Sequence, residues 1–161
     1  MRIFITLLLG IALLFIACRK SNTNNCPTTT YQYTFSKNAE LDTSRTPANW
    51  LLVSTKTGSK LVFNYTRNEQ TCPEIADGGS TDILFFEVDP AVTSFTYDAA
   101  SFQAFMVYFR RICFCPEIGF TVPTGGNIKG NRVDDNSWKI EFELVINGGE
   151  HIKTSAVFRL Q

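Results

Sequence analysis

The sequence predicts an all-β domain, an antiparallel β-sandwich with a β-barrel as the alternative architecture. Three observations carry that expectation. The chain is rich in aromatic residues, with fourteen Phe among 161 residues, and aromatic and β-branched enrichment fits pleated strands. The C-terminal third alternates apolar and polar residues over three runs, the period-2 pattern of half-buried strands. Short segments containing Gly, Asn and Asp separate those runs, as hairpin turns do.

The first residues stand outside that fold. Arg2 opens an apolar run from Ile3 to Ala17, which stops at Cys18. A charged start, an apolar core and a small residue at the cut make up a secretory signal peptide. The run is shorter than the roughly 20 residues a membrane-spanning helix needs. Arg19 and Lys20 follow, then a polar stretch from Ser21 to Thr30 that reads as a flexible tether. The expected division is a signal segment over 1–17, a tether over 18–30 and a single β domain over 31–161. Of the 161 residues, 144 follow Ala17, enough for one domain with a real core.

The strands follow in order. Thr30 to Phe35 alternates Tyr31, Tyr33 and Phe35 with polar residues, a first strand. Lys37 to Asn49 is polar, contains Pro47 and reads as a loop. Trp50 to Thr55 and Leu61 to Arg67 flank a short segment with Gly58, which predicts a hairpin between them. Glu69 to Thr81 reads as a turn-rich loop. Ile83 to Val88 is almost wholly apolar and predicts a strand covered on both faces. Ser94 to Tyr97 predicts a short strand, Ala99 to Gln103 a helical turn and Phe105 to Phe114 another strand.

The last three runs predict a meander: Ile128 to Val133, Trp138 to Ile146 and Ile152 to Leu160. Trp138, Ile140, Phe142, Leu144 and Ile146 share one face of the middle strand, with Lys139, Glu141 and Glu143 on the other. Glu141 and Glu143 are expected to meet Lys153 and Arg159 across the hairpin. A shorter similarity sets Tyr65-Thr-Arg67 beside Tyr108-Phe-Arg110, each followed at equal spacing by Cys-Pro-Glu-Ile. It reads as two strands that each end in a Cys-Pro turn.

Charge and cysteine use narrow the function classes. Fifteen basic and fifteen acidic side chains balance, and removal of Arg2 leaves a net charge of −1. Such a chain has no electrostatic footprint for nucleic acid. Cys18 aside, four cysteines remain: Cys26, Cys72, Cys113 and Cys115. In an oxidising compartment these read as two disulfides. Cys113 and Cys115 lie two apart on one strand face, where a mutual bond would strain the backbone. Each therefore pairs with one of Cys26 and Cys72, in an order that spacing leaves open. Cys113-Phe-Cys115 lacks the spacing of zinc knuckles, so no metal and no cofactor is expected.

Catalytic constellations are not apparent. His151 is the single histidine and follows the Asn147-Gly148-Gly149 turn, where a solvated role is the simplest reading. Asp134 and Asp135 sit in a turn, and Glu141 and Glu143 on a wet strand face. Trp50, Phe114 and Phe120 are candidates for lining an apolar pocket.

Phe15-Ile16-Ala17-Cys18 resembles a bacterial lipobox, with Phe15 where that family most often has Leu. The resemblance implies a lipidated Cys18 at the mature N-terminus. From Phe105 to Leu160, Cys113-Phe-Cys115-Pro, Gly126-Asn-Ile128-Lys-Gly130 and Trp138-Lys-Ile140 resemble small uncharacterised lipoproteins of Bacteroidetes-type bacteria. Surface-displayed members of that group carry acidic residues soon after the lipidated cysteine. Arg19 and Lys20 stand there instead, so the resemblance implies an outer-membrane anchor and leaves its face open. The expected role is a non-enzymatic binding or structural module of the cell envelope, held on the membrane by acyl chains on Cys18. The alternatives are a lipocalin-like barrel carrying a small apolar ligand and a hydrolase using His151.

Overall fold

The computed structural model describes residues 28–71, 78–114 and 119–161. The chain is all-β. Its strands are β1 (Thr28–Arg45), β2 (Leu51–Thr57), β3 (Lys60–Gln70), β4 (Ser80–Val88), β5 (Ser94–Asp98), β6 (Tyr108–Cys113), β7 (Gly125–Asp134), β8 (Ser137–Val145) and β9 (His151–Leu160). They form one curled sheet in the order β5-β7-β8-β9-β1-β3-β4-β6, with β2 also on β1. Every pairing is antiparallel except β1 with β9, which is parallel and limited to Thr34↔Arg159 and Phe35↔Leu160. The sheet curls into a half-barrel whose two arms face each other across a common core.

The core between the arms is aromatic. The Phe63 ring stacks on Phe86 at 5.0 Å and on Phe35 at 5.2 Å, and meets Trp138 of the opposite arm edge-on at 5.7 Å. Tyr65 meets Phe142 in the same way at 5.2 Å. Each such contact adds to the free energy of burying a large apolar surface. A second, smaller cluster covers the outer face, where Leu41, Val62, Tyr108 and Phe120 pack with Phe85 and Ile83. β4 is thus covered on both sides, with Leu84, Phe86 and Val88 inward, as its apolar run predicts.

The meander of β7, β8 and β9 follows the sequence alternation. Trp138, Ile140, Phe142 and Leu144 are buried and Lys139, Glu141 and Glu143 exposed. Glu143 meets Lys153 at 3.4 Å. Glu141 pairs with Lys139 on its own strand at 2.8 Å. Arg159 lies opposite Ser137 in the register, too far along β9 to reach either glutamate.

The N-terminal half departs from expectation. β1 begins at Thr28, inside the stretch that reads as tether, and continues through the polar residues to Arg45. Trp50–Thr55 and Leu61–Arg67 do not pair with each other. Both lie along β1, where Ala39 is the register partner of both Thr57 and Lys60. Gly58 and Ser59 are the extra residues of a bulge opposite Asn38, whose φ is 53°. The Gly58 amide donates to the Asn38 carbonyl, and the Ser59 amide and hydroxyl both donate to Glu40. The Glu40 side chain occupies the space a Gly58 Cβ would need. A turn-like glycine therefore marks a kink within one long hairpin. Beyond the kink that hairpin bends over the outer face, and the Phe120 amide donates to the Leu51 carbonyl at 2.8 Å.

Residues 99–106 form turns, and the strand expected from Phe105 starts at Tyr108. Met106 has φ 53°, which breaks the extended run, and Phe105 instead stacks on Tyr97 at 3.8 Å.

Candidate functional site

Two features stand out. The first is a groove of about 850 Å³ on the outer face. The β1–β2 hairpin forms one wall with Thr43, Arg45 and Trp50, and Tyr108, Phe120 and Thr121 form the other. Gly119 allows this approach, because a Cβ there would lie 2.5 Å from the Leu51 amide nitrogen. Trp50 is 38% exposed. Its amide donates to Thr46 Oγ1, and Arg45 Nη1 donates to both the carbonyl and the side-chain oxygen of Asn49. The hairpin tip is thereby held in one shape. The groove combines an accessible indole with hydroxyl and amide groups, a composition suited to orienting a polar ligand that has an apolar face.

The second feature is a charged row on the inner face. The register aligns Tyr31, Arg67, Asp82 and Arg111 across β1, β3, β4 and β6. Asp82 is fully buried. Arg111 donates to it through Nε at 2.6 Å and Nη2 at 3.0 Å, while Arg67 Nε lies 3.2 Å from its other side. Arg111 also donates to Glu150, which follows the β8–β9 turn. These donations hold the Glu150 carboxyl below its ordinary range and raise the Arg111 guanidinium above its own. Arg67 in turn meets Glu69 at 3.3 Å. Beside the row, Tyr31 and Tyr33 are stacked at 6.0 Å, and burial pushes the Tyr65 phenol up. With its charges matched by neighbours, the cluster fastens the two arms together.

The sequence candidates fall in several places. His151 is exposed, with Nδ1 3.7 Å from Glu143, on the outer side of the meander. Trp50 and Phe120 share the groove, but Phe114 is 80% exposed and lies apart, beside Asn68 and Thr81. Asp134 has the local role expected of a turn residue, accepting from the Asn136 amide and the Ser137 hydroxyl. Cys113 closes β6. Cys18, Cys26, Cys72 and Cys115 lie outside the described residues, as do all three Cys-Pro dipeptides. Among the described residues, no group of three or more His, Cys, Asp or Glu is arranged to hold a metal. No described helix is long and apolar enough to cross a membrane.

Sequence reading passed over Asp82, because the apolar run begins one residue later. The signal was its parity: Asp82 shares the inward face with Leu84, Phe86 and Val88. A carboxylate at that position needs cationic partners on the flanking strands. The Tyr-x-Arg similarity pointed there with a slip of one residue. Tyr65 and Phe109 flank Leu84, and Arg67 and Arg111 flank Asp82, so Tyr108 and Arg110 face the opposite side. Arg110 lies over the Phe120 ring at 5.9 Å.

No protein-family model, curated protein or solved structure matches this chain.

Proposed function

We propose that the chain is a lipid-anchored protein of the bacterial cell envelope whose β domain is a non-enzymatic binding module. The observation that carries the binding role is the groove beside Trp50. It opens at the Tyr108 end of β6, whereas β1 begins beside Gln70, near the Cys113 end. A chain held through Cys18 is therefore tethered at one end of the sheet and presents the groove towards the other. The layout from Arg2 to Cys18 supports the anchor, since several acyl chains together hold a protein on a bilayer.

The cysteines belong to the same reading. Thr28 pairs with Gln70, Glu69 with Ser80, and Ser80 with Cys113. Cys26 and Cys72 are each two residues beyond a strand end in this row. That proximity supports two disulfides, with Cys113 and Cys115 each joined to one of Cys26 and Cys72.

The groove supports a binding module better than it supports the alternatives. An apolar-ligand carrier needs room between the arms, where aromatic rings lie in contact. A hydrolase using His151 needs a nucleophile beside a histidine whose described partner is Glu143.

Trp50 emission tests the binding role. Peptidoglycan fragments, envelope oligosaccharides and peptides are titrated against the domain, with Trp50→Phe as the control. A saturable shift lost in the variant supports the groove, and constant emission with all three classes rejects it. Cys18→Ser should abolish lipid labelling and membrane fractionation; a variant that stays membrane-bound rejects the anchor.

A further inference from the structure

We infer that the end of the sheet where β1 begins is a bilayer-docking rim, with Phe114 as its inserted side chain. The inference rests on the lipid-anchored reading and adds to it how the domain sits on the membrane.

Three apolar or amphipathic side chains are exposed at this end: Tyr31 at 50%, Ile112 at 44% and Phe114 at 80%. Phe114 is the most exposed large hydrophobic residue described. It lies one residue beyond the end of β6, and Ile112 is two residues before it. The register carries this end of β6 across to Thr28. Ser80 connects Cys113 to β3, and Gln70 connects β3 to the first residue of β1. The segment before Thr28 carries the proposed anchor. The ten residues from 18 to 27 span at most about 35 Å when fully extended. The rim is thus the part of the described domain that the anchor holds nearest the bilayer.

The surroundings suit that position. Beside Phe114 lie Asn68, Gln70, Thr71, Ser80 and Thr81, all uncharged. The one carboxylate among them, Glu69, is paired with Arg67. Among the described residues of this rim, approach to the headgroups therefore strands no isolated charge, which would oppose docking. An aromatic ring between uncharged hydrogen-bonding groups fits the boundary between headgroup and acyl chain. The anchor supplies proximity, so a single ring and its neighbours need only fix orientation.

The test uses the full lipidated chain in vesicles of phosphatidylethanolamine and phosphatidylglycerol. Phe114→Trp is introduced together with Trp50→Phe, leaving buried Trp138 as the only other indole. Lipids brominated along the acyl chains should quench about half of the position-114 emission, with a blue shift on vesicle addition. Co-flotation without quenching overturns the rim and leaves the anchor standing. Failure of the lipidated chain to co-float overturns both. A concentration-dependent dimer in light scattering, lost in Phe114→Ser, assigns the rim to a second copy and overturns the proposal. Hydrogen exchange gives a readout free of the engineered indole. Amides of 78–81 and 112–114 should slow several-fold on vesicles in the parent chain but not in Phe114→Asp; equal rates in both overturn docking.

Discussion

Arg111 and Glu150 tie the two arms of the curled sheet together at one end. Arg111 stands on β6 and Glu150 follows the turn between β8 and β9, and Arg111 Nη2 donates to Glu150 Oε1 at 2.9 Å. The same guanidinium holds buried Asp82 through Nε and Nη2. Between the arms, the Phe63–Trp138 and Tyr65–Phe142 contacts make the apolar counterpart of this link.

Removing Asp82 leaves Arg67 and Arg111 facing each other with no anion between them. Both are about three-quarters buried. Asp82→Ala is expected to cost about 3 kcal/mol, the usual range for breaking a buried pair. Urea unfolding measures it, and a change below about 0.5 kcal/mol would show that water already screens the row.

Glu150 sets part of the acid response. Hydrogen bonds from Arg111 lower its folded pKa, so its contribution is present above the unfolded value, about pH 4.3, and is lost as pH falls through the folded value. The side chain is about half exposed, which limits the contribution to about 1 kcal/mol at neutral pH. The stability gap between the parent and Glu150→Gln should therefore be widest near pH 7 and close below pH 4. A gap independent of pH contradicts the assignment.

The alkaline side belongs to buried tyrosines. Burial pushes Tyr97 up to about 12 and raises Tyr65 as well. For these groups the stabilising contribution is complete below the unfolded value, about pH 10, and is lost as pH rises through the folded value. Absorbance at the phenolate band should show Tyr65 and Tyr97 ionising late, together with unfolding. Tyr97→Phe should flatten the alkaline limb and cost about 1 kcal/mol through the lost hydrogen bond to the Glu87 carbonyl.

What sequence alone conveys depends on whether a strand has a wet face. β8 alternates because Lys139, Glu141 and Glu143 meet solvent, so its ends and facing were legible. The second half of β1 has the same period, with Ala39 and Leu41 buried, but Glu40 and Asp42 mask it as a loop. Gly58 suggested a turn because bulges and turns use the same residue. The groove was half legible: Trp50 and Phe120 were singled out, but nothing local shows that a long hairpin folds over the outer face. Asp82 was hidden because its partners come from two other strands.

Gly119 holds that fold-over in place. A Cβ there would lie 2.5 Å from the Leu51 nitrogen and 2.6 Å from its oxygen. These are backbone atoms, and Leu51 also accepts the Phe120 amide at 2.8 Å, so relief requires the β1–β2 hairpin to lift. Gly119→Ala should cost about 2 kcal/mol, as overpacking typically does. The loss should be local, because β9 meets β1 only at Thr34 and Phe35, before the stretch from Ala39 to Arg45 that pairs with β2. The Phe120 amide should exchange faster and Trp50 emission should shift red, while amides of β8 keep their protection. Uniform loss of protection would instead mean that the hairpin and the curled sheet unfold as one unit. Unchanged exchange at Phe120 would mean that the hairpin does not depend on this close approach.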